Sequence, residues 1–309
     1  FYGIIPFFTG FLIEKHQIFE KGKVVFLLST VTQSAKSHRR FEPGFVTILH
    51  EHRHNWRQIY LLAKTDLKKT YKGAFLGAGW AVVKPLFTLF IYWFAFEYGI
   101  RPGSLINGYP RFLFMIPAFA AWFFMSDAIL LGSQCIRKNK QYVIKMHFPV
   151  SNIMSFTLFS RLLVHFILTG IMYVYLICTG YGFSVYNLQF FLYCPLMFLF
   201  FLGLSWALAP MAAFSRDFEN LIKSIMTGLF WLSGIMYDPY DVPVTWIRYL
   251  MRLNPINYFA NAYRDAFLYH KWFWEDTTGL LIILVEFIVV LGYGSHKYKQ
   301  LRKILPDVL

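Results

Sequence analysis

The chain has 309 residues, 57% of them hydrophobic and 21% aromatic, against only 15% charged, and a formal net charge of +14. Soluble domains carry about 25% charged residues, so this composition excludes an ordinary soluble globular protein and places most of the surface in lipid. The three cysteines, Cys135, Cys178 and Cys194, form no close-spaced pair, which argues against a disulfide framework or a zinc site.

In chain order, the first apolar stretch is "FYGIIPFFTGFLI" at residues 1–13. It has the character of a signal-peptide core. It is shorter than the about 20 residues a spanning helix needs, and no small-residue cleavage site follows closely. Residues 1–50 are therefore expected to be a cytoplasmic extension without an assigned shape. His50, His52 and His54 alternate rather than follow helical ligand spacing, so no metal site is expected there. Residues 51–75 read as an amphipathic interface helix. Trp56, Ile59, Tyr60, Ala63, Leu67 and Tyr71 recur on one side, and Arg57, Lys64, Lys68 and Lys72 on the other. Such a helix lies on an anionic leaflet with its basic face toward the lipid heads.

Six apolar runs of spanning length follow, at about 77–98, 112–134, 154–180, 188–214, 221–237 and 278–293. They define an all-α integral membrane domain over 76–295, with a basic tail at 296–309. Residues 1–75 hold 12 Lys or Arg, the loop 135–150 holds 4 and the tail 4, whereas the other side carries Arg101, Arg111, Arg248, Arg252, Arg264 and Lys271. The contrast predicts both termini in the cytoplasm. It also accounts for much of the net charge without a nucleic-acid partner.

Asp127, Arg161, His165 and Glu286 fall within apolar runs, where a charge is costly and is expected to face the protein interior or water. Asp127 and Arg161 lie at similar depth with opposite sign, which predicts an ion pair. Glu286 sits near mid-depth of the last run. Between the fifth and sixth runs stands "LNPINYFANAYRDAFLYH", at residues 253–270, which reads as a helix capped by Asn254 and started by Pro255. Ile256, Phe259, Tyr263 and Phe267 share one of its faces. The chain has no G-x-x-x-x-G-K-[ST] phosphate loop, no G-x-S-x-G elbow and no H-E-x-x-H helix, so an ATPase or hydrolase activity of its own is not expected.

Three stretches then carry a resemblance: "YKGAFLGAGWAVVKPLF" at 71–87, "FSRDFENLIKSIM" at 214–226 and "LNPINYFANAYRDAFLYHKWFW" at 253–274. In this order, between an interface helix and a last span, the chain resembles the permease subunit of type-2 ATP-binding-cassette exporters. It is most similar to the polysaccharide branch, and "YRDAFLYHKWFW" to teichoic acid translocation permeases. The resemblance implies a homodimer bound to two copies of a separate ATPase, which would hold the ATP and magnesium. It implies a cargo of undecaprenyl-linked anionic polymer. It further implies that 245–253 and 255–269 form a re-entrant helical hairpin, with Asn254 and Pro255 as hinge. Tyr258, Phe259, Tyr263 and Phe267 would line an outer gate, and Arg264 would meet cargo phosphate. The inner loop would be a coupling helix, with Tyr142, Val143 and Met146 as its docking face and Lys138, Lys140 and Lys145 around it. Arg216 and Asp217 would add a second contact with the ATPase. Rival readings are an O-antigen or other lipid exporter of the same type, an ion-coupled secondary transporter using Asp127 and Glu286, and a membrane glycosyltransferase with Asp238 and Asp241 as its acidic groups.

Overall fold

A computed structural model describes residues 44–100, 102–145 and 148–305, the side chain of His54 excepted. Helix α1 (Gly44–Thr70) begins before residue 51, where the interface helix is expected to start. Helix α2 (Trp80–Phe94) is flanked by a tight turn at Gly77–Gly79 and a π-helical turn at Ala95–Ile100. A hairpin of β1 (Leu105–Ile106) and β2 (Tyr109–Pro110) leads into α3 (Arg111–Lys138). The short α4 (Lys140–Ile144) precedes α5 (Val150–Cys178). A turn at Val185–Gln189 runs into α6 (Phe190–Phe214), followed by α7 (Arg216–Leu232). Then come α8 (Thr245–Arg252), α9 (Pro255–Arg264) with a π-helical turn at Asp265–Tyr269, and α10 (Thr277–Leu301).

Five helical segments among the described residues are long and apolar enough to cross a bilayer: Gly77–Ile100, α3, α5, Val185–Phe214 and α10. The protein is a helical, multi-pass membrane protein. The expected fifth run, 221–237, departs from this pattern. Its helix is α7, only 17 residues long, with Arg216, Asp217, Glu219 and Lys223 in its first half. The chain leaves the helix at Leu232 and turns at Gly234, whose φ of 61° is left-handed. A Cβ there would also strike the ring of Pro239, so only glycine makes this turn. Likewise α10 continues past residue 296, where the basic tail is expected to begin.

Helix α3 is the hub, with Phe114, Phe119, Phe124 and Met125 buried. It packs between α5 and α6, and α6 in turn carries α10. Helix α1 lies along the first half of α5 with Ile48 and Ala63 buried. Ile59 and Leu67 also turn toward the protein, so they leave the lipid-facing row expected for them. The exposed apolar strip is instead Phe45, Leu49, Trp56 and Tyr60, again at helical spacing.

Polar bonds fix α1 in place. The Glu51 carboxylate accepts from the hydroxyls of Ser151 and Tyr298, the latter at 2.8 Å, and pairs with Arg302 at 2.5 Å. One carboxylate thus joins α1, the start of α5 and the end of α10. The next residue, His52, donates from Nδ1 to the Ile48 carbonyl at 2.7 Å, and its Nε2 lies in hydrogen-bond contact with the Ser155 hydroxyl. Burial lowers the His52 imidazole below its ordinary 6.5, against the raising effects of the Ile48 carbonyl and the Glu51 charge. Burial therefore favours the neutral ring.

Replacing Glu51 by alanine leaves two buried hydroxyls and Arg302 without their acceptor. A loss of about 2–3 kcal/mol is expected, read as a lower unfolding midpoint of the detergent-solubilised protein. Tyr298→Phe removes one of those bonds and also the acceptor of the Ser151 amide at 3.1 Å, and should cost about 1–3 kcal/mol. Unchanged midpoints in both variants would show that apolar packing alone holds these three helices.

Candidate functional site

At the end of the bundle opposite α1, the chain between α7 and α10 is built around one buried cation. Asn254 caps α9 through Oδ1, which accepts from the Ile256 amide at 3.0 Å, and its Nδ2 donates to Ser233 at 2.8 Å. Two short helices meet at this residue, as the sequence predicts. At the far end of the same helix, Arg264 is fully buried. Its Nε donates to the Phe114 carbonyl at 3.0 Å, and Nη1 to Asn261 Oδ1 at 2.7 Å. Nη2 donates to the carbonyls of Gly234 at 2.9 Å and Ile235 at 2.7 Å. The guanidinium also lies 3.7 Å from the centre of the Phe114 ring. Arg264 is therefore spent on the fold and does not reach a cargo phosphate in this arrangement. Guanidinium planarity, with five donors in a fixed fork, suits it to this set of acceptors.

The ring face of α9 is also internal. Phe259 and Tyr263 are completely buried and Phe267 nearly so, because the apolar side of this helix packs on α3 and α6. The Tyr263 hydroxyl donates to His165 Nε2 at 2.7 Å, while His165 Nδ1 donates to the Ala120 carbonyl at 3.1 Å. Of the four rings expected to line an exit, Tyr258 borders a cavity of about 580 Å³, whose lining does not include Phe259, Tyr263 or Phe267. That cavity lies against the opposite, polar side of α9, with Asn257 and Asn261 beside Tyr258. The hairpin closes over it: Asn107 donates to Asp238 at 2.5 Å and to the Tyr269 hydroxyl at 3.1 Å.

At the basic end, Arg161 sits between two carboxylates. Its Nη1 is 4.0 Å from Asp127, the expected partner, but its Nη2 is 3.5 Å from Asp66 of α1 and 3.4 Å from Thr70. Asp66 is also held by Ser160 at 2.8 Å. The nearer partner comes from the interface helix, and periodicity within the spans gives no sign of it. Glu286 is half-buried on α10, and no hydrogen bond or ion pair to it is present among the described residues.

The short α4 presents a different surface from the one expected. Val143 is buried, and Tyr142 packs on Phe148 and Phe156 at ring separations of 6.0 and 5.9 Å. Met146 lies outside the described residues. The exposed apolar side chain of α4 is Ile144, and Lys138, Lys140 and Lys145 nearby in sequence are also exposed. Arg216 and Asp217 are exposed at the start of α7. Next to them, Glu219 pairs with Arg137 at 3.1 Å and Lys223 at 2.7 Å, so α7 is tied to the end of α3.

A bundle of membrane-crossing helices with one basic end and a closed, hydrogen-bonded excursion before its last helix has the form of a membrane permease. Residues 57–268 match the ABC-2 type transporter family, and the chain belongs to it. It is also similar to the O-antigen export system permease protein RfbA of Myxococcus xanthus, with 22% identity over 243 residues, 78% of this chain and 91% of that protein.

Two expectations follow from these contacts. Arg264→Leu strands three buried carbonyls and should cost about 3 kcal/mol or more, seen as loss of monodisperse protein in detergent. Arg264→Lys, which keeps the charge but not the fork, should recover part of the yield. Separately, a double-mutant cycle on Asp66 and Arg161 should show coupling of about 1 kcal/mol or more. The half-exposed Asp127 should couple to Arg161 by only a few tenths of a kcal/mol. The reverse order would make Asp127 the principal partner.

Proposed function

We propose that the chain is the transmembrane subunit of an ATP-driven exporter that carries an undecaprenyl-linked polysaccharide across a bacterial cytoplasmic membrane. The observation that carries this reading is membership of the ABC-2 transporter family in a sequence without a phosphate-binding loop of its own. Hydrolysis of ATP with magnesium then belongs to a separate ATPase, two copies of which serve a homodimer of this chain. The excess of Lys and Arg at the α1 end supports cytoplasmic termini. In this reading α1 lies on the inner leaflet through Phe45, Leu49, Trp56 and Tyr60.

The sixth crossing is completed by α7 together with α8 and α9, which enter from the outside as a re-entrant hairpin. Non-helical backbone at membrane depth is tolerated only where protein or water surrounds it. The Arg264 bonds to Gly234 and Ile235 supply that condition here. Because Phe259, Tyr263 and Phe267 are core residues, an outer gate would have to move as a body with α3, or through Tyr258 alone. Two cargoes fit this exporter. The sequence motifs favour an anionic teichoic acid, and the name of the Myxococcus xanthus relative favours an O-antigen polysaccharide.

ATPase docking on this reading uses the exposed Ile144 with Lys138, Lys140 and Lys145, and Arg216 and Asp217 as a second contact. Ile144→Asp places a carboxylate in an apolar contact and should reduce ATPase retention on the purified permease at least about tenfold, which is a loss of about 1.4 kcal/mol. Polymer-stimulated hydrolysis should fall with it. Tyr142→Asp should instead lower folded yield, since its ring is packed inside. If no ATPase subunit copurifies with the wild-type permease, or Ile144→Asp retains it fully, the exporter reading or its docking surface fails respectively.

A further inference from the structure

The cavity on the polar side of α9 has a chemistry of its own. Its volume of about 580 Å³ falls within the roughly 300–1,000 Å³ of small-molecule sites. Rings of Tyr193, Tyr258 and Trp272 border it. Tyr193 is only 2% exposed, yet its hydroxyl has no hydrogen-bond partner among the described residues and the residue lines the cavity. The side chain is buried while its hydroxyl keeps access to the open space of the cavity, so that hydroxyl is free to bond a ligand there.

The carboxylates of the wall divide in the same way. Asp238 receives Asn107 and the Tyr240 amide, Glu275 the Trp272 amide at 2.7 Å, and Asp276 caps Gly279 at 3.1 Å. Asp265 alone receives no side-chain hydrogen bond among the described residues. The amides are positioned but not exhausted. Asn261 donates to Asn257 at 3.1 Å and Asn257 to the Met251 carbonyl at 3.0 Å, which leaves each with a second N–H. The wall therefore offers free acceptors, free donors and flat ring faces together, held in place before any ligand arrives.

Charge narrows the ligand. Four carboxylates, Asp238, Asp265, Glu275 and Asp276, face two cations. Those cations are already engaged: Arg252 lies 5.5 Å from the Tyr240 ring and Lys271 lies 5.6 Å from the Tyr269 ring. A phosphate would meet net negative charge here. A hydroxyl-rich ligand without charge would give donors to Asp265, exchange hydrogen bonds with Tyr193 and Tyr258, and lay its C–H faces on the rings.

We propose that this cavity is a saccharide site that takes an uncharged glycosyl unit and disfavours a phosphate-bearing one. Its place at the exit rests on the exporter reading; its ligand chemistry does not. Together they favour a neutral polysaccharide over a phosphate-bearing polymer as cargo.

The test uses the full chain in lipid nanodiscs and calorimetric titration. The probes are the methyl glycosides of glucose, mannose, galactose and N-acetylglucosamine, each beside its 6-phosphate. At least one neutral glycoside should bind, and its phosphate at least about tenfold more weakly. Asp265→Asn should weaken the neutral probe about tenfold and narrow the gap to its phosphate. Tyr193→Phe keeps the ring and should weaken the neutral probe severalfold, with an unchanged unfolding midpoint. Absence of binding by every neutral probe, equal or tighter binding of the phosphates, or undiminished binding in both variants would overturn the proposal. A permease that retains its ATPase but binds no saccharide refutes this inference and leaves the exporter reading standing. One that binds the neutral probe without any ATPase partner supports the inference and refutes that reading.

Discussion

In an apolar surrounding no backbone carbonyl can be left without a donor, and this constraint governs the least regular part of the molecule. Helix α7 ends at Leu232, and the chain that follows bends at Gly234 with its carbonyls freed from the helical ladder. Lipid offers nothing to replace the missing donors, and each loss costs several kcal/mol. The fully buried guanidinium of Arg264 takes the carbonyls of Gly234 and Ile235, and with its other nitrogens reaches Phe114 and Asn261. A cation at the C-terminal end of α7 is also favoured by the helix dipole. No carboxylate is paired with it among the described residues; the acceptors are neutral oxygens and the ring of Phe114. One side chain thereby sets the position of α9 against α3 and α7.

The form of the cavity follows from that fixation. With Arg264 turned inward, Phe259, Tyr263 and Phe267 on the same side are drawn into the core, and Tyr263 reaches His165 of α5. The other side of α9 is left to Asn257, Tyr258 and Asn261. Gln189 then fastens the next stretch, accepting from the Phe273 amide and donating to the Lys271 carbonyl, each at 2.7 Å. The wall opposite α9 is thus also held by side-chain to backbone bonds. A pocket built this way does not need to order its side chains when a ligand enters, which removes one of the usual costs of binding.

Much of this architecture is legible in residue order, and the failures have definite causes. Helical periodicity and turn chemistry place α3, α5, α6 and α10, and Asn254 with Pro255 marks the join between α8 and α9. The end of α7 was hidden because an apolar run continues through Ile235 and Met236, although the backbone has already turned at Gly234. The resemblance assigns Arg264 to cargo phosphate, and the sequence near it does not reveal otherwise, because its backbone acceptors come from residues about 30 and 150 positions away in the chain. Asp66 escaped notice for a similar reason. It lies on the polar side of α1 and meets Arg161 only once α1 is laid along α5. Tyr142 and Val143 stand with Met146 at i, i+1 and i+4, a pattern that marks an apolar face without saying whether the protein itself or a partner buries it.

The distribution of polar bonds also says which helix is free to move. Helix α1 is pinned by Glu51, His52 and Asp66, and α9 by Arg264 and Tyr263. For α2, no hydrogen bond or ion pair joins a side chain to another element among the described residues. Its attachments are ring contacts, such as Tyr92 with Phe119 and Phe230 and Trp93 with Phe112, and the burial of Ala81 beside Val164 and Leu168. Phe87, Phe90, Ile91 and Phe94 are exposed along it, which in lipid carries no hydrophobic penalty. Ring contacts are individually weak and tolerant of sliding, whereas a buried hydrogen bond is lost outright when its geometry changes. A change of shape in this chain therefore costs least when α2 shifts against α3 and α5, with the Arg264 assembly and the Glu51 junction carried along intact.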